Sequence, residues 1–208
     1  NYNIDRLVFA EGDPSAIPPL DPTYESDDDL RRRIQLSPEG YTVAGSKGAY
    51  VFHGLSADAN VKDAQATSPT PGTVTIYILA RDGNGAAGVD LVDSVEDYLN
   101  AETIRPMTDN VTVQSASITE YAVEASLTVY PGPDAEVIRQ SAEDAARDYV
   151  ESVHAIGYDV TRSGLYAALH QSGVQNVILT TPAADIVIGD GEAAYCTSLT
   201  VTIGGTDV

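Results

Sequence analysis

Thr73-Val74-Thr75-Ile76-Tyr77-Ile78-Leu79-Ala80, then a glycine-rich loop, then Val89-Asp90-Leu91-Val92-Asp93-Ser94-Val95-Glu96-Asp97-Tyr98-Leu99, set a strand beside a helix. In the first run Val74, Ile76 and Ile78 take one side and Tyr77 and Leu79 the other, the pattern of a strand covered on both faces. In the second, Leu91, Val92, Val95 and Leu99 fall on one stripe with Asp93, Glu96 and Asp97 opposite, so residues 89–101 read as an amphipathic helix. Downstream, residues 111–118 and 121–130 read as two strands joined by a tight connection, the second alternating Tyr121, Val123, Ala125, Leu127 and Val129 with polar neighbours. Residues 134–156 form the longest predicted helix, with Ile138, Ala142, Ala145, Tyr149, Val153 and Ile156 on its stripe and Gly157 as terminator. A second helix is predicted over 162–171, and short strands over 176–180, 185–188 and 198–203. This order gives an α+β fold of small mixed or antiparallel sheets packed with amphipathic helices, and it allows a split β-α-β arrangement in residues 73–181.

Upstream, Pro14, Pro18, Pro19 and Pro22 forbid a helix and favour extended chain, so residues 1–25 read as a proline-rich lead-in or surface tether. Ser26 is placed to cap a helix by accepting from the Asp29 amide, with Asp27, Asp28 and Asp29 at its positive end. Leu30 and Ile34 would mark its buried stripe, and Pro38 and Gly40 end it. The run Arg31-Arg32-Arg33 has the look of an anion site. Each arginine also has an acid four residues before it (Asp27, Asp28, Asp29), which points instead to a solvated, self-paired helix. A short helix is expected over 49–56, a strand over 61–67 and a turn over 68–72. Three regions result: the lead-in 1–25, a first small α+β domain or subdomain 26–72, and a main α+β domain 73–208.

The 208 residues carry 31 acids against 11 bases, a formal net charge of −20. Such a surface repels phosphate backbones and anionic headgroups, so neither nucleic acid nor a membrane is an expected partner. No apolar run approaches the ~20 residues of a membrane span. One cysteine, Cys196, excludes an internal disulfide framework, and His53, His154 and His170 lack metal-ligand spacing, so no metal is expected. The opening Asn1–Arg6 has neither a methionine nor a signal-peptide pattern and reads as the start of a fragment of a protein made in the cytoplasm.

Gly83-Asn84-Gly85-Ala86-Ala87-Gly88 is a literal G-x-G-x-x-G between a strand and a helix. Arg81-Asp82 displaces the first glycine from the strand, no acid ends the next strand, and that strand is expected to continue into a hairpin partner. A flexible strand–helix loop is therefore expected, with no cofactor and no small-molecule substrate. The loop also lacks the ligands of a calcium site, having Ala86 at the fifth position and no glutamate at the twelfth. Cys196 reads as a packed small hydrophobe, Ser163 as a helix cap, and no G-x-S-x-G elbow is present. No set of residues converges on catalysis, so no enzyme is expected.

A more specific pattern runs through the chain. Ser26-Asp27-Asp28-Asp29-Leu30-Arg31-Arg32-Arg33-Ile34-Gln35, Pro38-Glu39-Gly40-Tyr41-Thr42-Val43-Ala44-Gly45, Gly48-Ala49-Tyr50-Val51-Phe52-His53-Gly54, Ile104-Arg105-Pro106-Met107-Thr108-Asp109-Asn110, Tyr130-Pro131-Gly132-Pro133 and Leu165-Tyr166-Ala167-Ala168-Leu169-His170 together resemble the baseplate J-like family of temperate contractile-tailed phages. The resemblance implies a non-enzymatic wedge subunit of the tail baseplate in the virion, assembled in the bacterial host cytoplasm. It implies a six-fold ring around the hub, in which copies pair with one another and with other wedge proteins. It also implies an additional helical N-terminal stretch that is absent here. A subunit of a phage-derived contractile injection particle (tailocin) is the nearest alternative, and a small-ligand-binding α+β protein using Gly83–Gly88 a more distant one. Within residues 26–60, Arg31, Arg32, Arg33, Tyr41 and Tyr50 are the candidate partner contacts, the two tyrosines being expected at the surface. The alternative is that these residues serve only the fold.

Overall fold

Four prolines keep residues 4–25 out of any helix, yet the chain there is not an extended tether. It doubles back: β1 (Val8–Ala10) pairs antiparallel with β2 (Thr23–Tyr24), and Asp13 bridges Leu20. The computed structural model describes residues 4–42, 45–132 and 134–208. Val43, Ala44 and Pro133, which help carry the resemblance, lie outside the described residues, as do Asn1 to Asn3.

Ser26 caps α1 (Asp27–Leu36) as the sequence predicts, its hydroxyl accepting from the Asp29 amide at 3.2 Å. A 3-10 turn, Glu39–Tyr41, follows, and then α2 (Lys47–Ala57). The strand β3 (Val61–Thr70) turns at Pro71-Gly72 into β4 (Thr73–Ala80), and the two form an antiparallel hairpin. The boundary expected between residues 72 and 73 therefore falls inside a hydrogen-bonded pair of strands. After the glycine loop, α3 (Val89–Leu99) crosses over to β5 (Asn110–Ser115), which lies parallel to β4. The sheet order is β3-β4-β5. The β-α-β unit is thus not split, because its parallel strands are immediate neighbours.

The chain divides into two compact units between Ala116 and Ser117. The Ala116 amide still donates to the Ile78 carbonyl of the first sheet, whereas the Ser117 amide donates to Gly191 of the second. Strand β6 (Ser117–Val129) starts at that point. The hairpin expected from residues 111–130 does not exist. β5 and β6 are consecutive in sequence but belong to different sheets, and the expected turn near Glu120 is an interior stretch of β6.

In unit 1 the core lies between the sheet and helices α2 and α3. Ile76, Ile78, Val95 and Leu99 are fully buried there with Tyr50, Leu55, Val61, Val111 and Val113 packed around them. Thr75 and Leu79, on the opposite side of β4, are buried too, as the two-sided apolar pattern requires.

In unit 2, β6 is followed by α4 (Ala135–Ser152), α5 (Arg162–Leu169), β7 (Val174–Thr181) and β8 (Glu192–Thr206). The order is β7-β6-β8, with β7 antiparallel and β8 parallel to the central strand. Helices α4 and α5 cover one face, bringing Ile138, Ala142, Ala146, Leu165 and Leu169 onto Val123, Leu127, Val177, Leu179 and Val201. Helix α4 stops four residues short of the predicted end, and Ala146 is buried where the sequence favours Ala145. The cap of α5 is Thr161, accepting from the Gly164 amide at 3.1 Å, not Ser163. Gly164 is required by close approach: a Cβ there would lie 2.4 Å from the Tyr149 ring and hydroxyl. The strand expected over 185–188 is reduced to one bridge, Val160 to Ile186.

Candidate interaction surface

The arginines of α1 do not form the ladder of local pairs that their spacing predicts. Arg31 stays local, 2.6 Å from Asp28 and 3.9 Å from Asp27, with its side chain in water. Arg32 reaches across to Asp63 on β3 at 2.5 Å. Arg33 is buried and pairs with Glu25 at 2.5 Å, Glu25 itself being 4% exposed. The Arg33 guanidinium also donates to the Ser56 hydroxyl and to the Asp5 carbonyl. Glu25 in turn accepts from the Leu7 amide at 3.0 Å. Asp29, the acid expected to hold Arg33, bonds Arg81 at 3.0 Å instead.

One carboxylate thus ties three pieces of chain together: the first residues, the end of the hairpin, and α1. Burying a charge is tolerated only when its partner and remaining hydrogen-bonding groups are satisfied, and the Glu25–Arg33 site meets that condition. This is why residues 4–25 are anchored rather than loose. It is also why the apolar stripe of α1 is displaced: Arg33 points inward and Ile34 is 44% exposed.

Of the candidate contacts, Tyr50 is not at the surface. It is 2% exposed, and its hydroxyl donates to Asp109 at 2.8 Å. Burial, reinforced by the Asp109 charge, pushes its hydroxyl pKa well above the ordinary tyrosine value. Arg33 is likewise internal. Arg31, half-exposed Arg32 and Tyr41, which is 68% exposed, remain on the outside.

The glycine loop is built to hold itself. Gly83 and Gly85 take φ values of +63° and +94°, which glycine adopts without strain. Three of its amides are spent within the chain: Gly85 donates to the Asp82 carbonyl, Ala86 to Asn84 Oδ1, and Ala87 to the Ser115 hydroxyl at 2.8 Å. The open groove beside it is lined by Asp58, Asp82 and Asp90, which repel a phosphate. The strand–helix–strand order read from the sequence is present here as a β-α-β connection, and the acids around its loop disfavour an anion.

His53, His154 and the cysteine have structural surroundings. His53 stacks near Phe52 and Tyr98, and burial lowers its pKa. His154 bonds the Ala194 carbonyl at 2.6 Å and stands edge-on to Tyr195. Burial pushes the Cys196 thiol pKa up, away from thiolate chemistry. Among the described residues no group of acids, histidines and cysteine is arranged to hold a metal ion, and no helix is long and apolar enough to cross a membrane.

"Baseplate protein J" of Escherichia phage P2 is 49% identical over 207 residues, covering 100% of this chain and 68% of that protein. A family model described as the Baseplate J-like central domain matches residues 42–115, and one described as the Baseplate J-like protein C-terminal domain matches residues 121–202. The chain belongs to the baseplate J-like family. The gap between the two matched segments brackets the Ala116–Ser117 division seen in the fold. Among solved structures, a chain of the six-fold symmetrised cryo-EM structure of the anti-feeding prophage (AFP) baseplate shares the fold. Its TM-score is 0.55 at 13% identity, with coverage of 86% of this chain and 43% of that one. This baseplate J-like chain therefore spans about two thirds of the phage protein and under half of the structural neighbour. Sequence reasoning missed the Glu25–Arg33 anchor. The only signal available was an isolated acid one residue before a helix cap, and nothing in spacing links it to an arginine eight positions later.

Proposed function

We propose that this chain is a structural subunit of a contractile-tail baseplate, resident in the tail of the virion, and that it acts through protein–protein contacts without catalysis. The observation that carries the reading is 49% identity along the whole chain to a phage baseplate protein. Within it we place the chain as a wedge component, in contact with other wedge proteins and with copies of itself in a ring of six around the hub. A two-unit chain with an anchored hairpin suits that role, because a ring closes through a repeated heterologous contact between unlike surfaces. Arg31, Arg32 and Tyr41 are the outward residues of the α1 region proposed to meet a neighbour.

Quantitative mass spectrometry of purified tail particles tests the reading. A copy number per particle in multiples of six is expected, falling when the Arg31→Glu, Tyr41→Asp variant replaces the wild type although its Tm is unchanged. Absence of the chain from complete particles would overturn it.

A further inference from the structure

The hairpin of residues 8–24 has a firm root and a bare blade. At the root, the Glu25 amide donates to the Leu7 carbonyl at 3.0 Å, the Glu25 carboxylate takes the Leu7 amide and Arg33, and Arg6 pairs with Asp27 at 2.5 Å. Toward the tip, Asp13 exchanges backbone hydrogen bonds with Leu20, and its carboxylate accepts from the Ser15 amide and hydroxyl. Among the described residues, the blade between contributes to neither hydrophobic core. It carries Val8, Phe9, Ile17, Leu20 and Tyr24, all exposed, with Ile17 at 100% and Leu20 at 59%. A two-stranded sheet with no third strand and no core is marginal in water. A concentration of exposed large apolar side chains marks a surface that another molecule covers.

The charge on the blade says what kind of molecule. From Leu7 to Tyr24 the chain has Glu11, Asp13 and Asp21 and no base. A complementary surface must therefore be basic at its rim. A second copy of this chain is the wrong partner for the arm, because at −20 it repels the arm.

We propose that the residue 8–24 hairpin is a docking arm whose exposed apolar side chains seat in a lysine- or arginine-rimmed apolar groove on a different protein of the same particle. This rests on the baseplate reading above. The anchored root pre-organises the arm, so less ordering entropy is lost on docking. The acidic rim speeds encounter and excludes other copies of the chain.

The test uses the full-length protein carrying a photo-crosslinking amino acid at position 17 or, separately, at position 20, assembled into purified tail particles. Both positions are expected to crosslink to one other particle protein, at a peptide containing lysine or arginine. The Glu11→Lys, Asp21→Lys variant should lower the yield about tenfold. A crosslink to a second copy, to another segment of the same polypeptide, or none at all in particles that contain the chain would overturn the docking arm while leaving the baseplate reading intact. Chain missing from the particles would instead overturn the baseplate reading. As a second check, Ile17→Asp should leave Tm unchanged and reduce incorporation into particles; normal incorporation overturns the proposal.

Discussion

Helix α4 of unit 2 turns Ile138, Ala142 and Ala146 toward its core and keeps Arg139 at the rim, bonded to Glu136 at 2.7 Å. Helix α1 of unit 1 turns Arg33 inward and leaves Ile34 in water. Both helices are capped and of ordinary length, so the difference lies in what covers them. The sheet meets α4 with apolar side chains, with the Val201 carbonyl accepting from Arg139 at the rim, and burial there follows apolar area at about 25 cal/mol per Å². The hairpin segment offers α1 a carboxylate and backbone carbonyls, so the buried residue must be a donor. Apolar periodicity therefore finds both helices but gives the inward face only of the one that packs on a sheet.

The comparison can be broken most directly at the buried pair. Arg33→Ala leaves the Glu25 carboxylate buried without its cation, and chemical denaturation of the whole chain should show unit 1 losing about 3–5 kcal/mol. Arg33→Met combined with Glu25→Leu should recover most of that loss, because the charges are removed together. If Arg33→Ala costs no more than a surface substitution, the anchor is not holding the segment.

A smaller effect is expected in unit 2. Leu165 is fully buried, and Leu165→Ala should cost about 2–5 kcal/mol by leaving a cavity, with no charge left behind and no rescue by a second polar change. The smallest effect sharpens the contrast. Ile34→Ser should stay within about 0.5 kcal/mol in the same unfolding assay, as for an exposed site. A loss of 2 kcal/mol or more would show that the apolar stripe was placed correctly by periodicity after all.

What was legible in the sequence follows the same division. β4 forms over the predicted residues because six apolar positions within eight leave no alternative, and α3 follows its Leu91–Leu99 stripe. Ser26 caps as its spacing demands, since a cap is settled within four residues. The central residues were not legible. Val111 and Val113 in β5 and Tyr121, Val123 and Ala125 in β6 keep one alternation across the Ala116 break, with no glycine or proline to mark it. Strand partners are chosen by the whole fold, so an unpunctuated run conceals a change of sheet. The candidate contacts divide likewise. Tyr41 is outside and Tyr50 is inside, and what separates them is Asp109, 59 positions away from Tyr50.

The position of β6 in the middle of its sheet also sets how unit 2 resists a pull along that strand. β6 is held by parallel pairing with β8 from Ser117–Glu192 to Val129–Thr206, and by β7 along its other edge from Glu124 to Val129. A pull along that strand shears two rows of hydrogen bonds together instead of unzipping them one by one. The first residue of unit 2 is thus the first residue of its central strand, and the hold on that strand is distributed along the sheet.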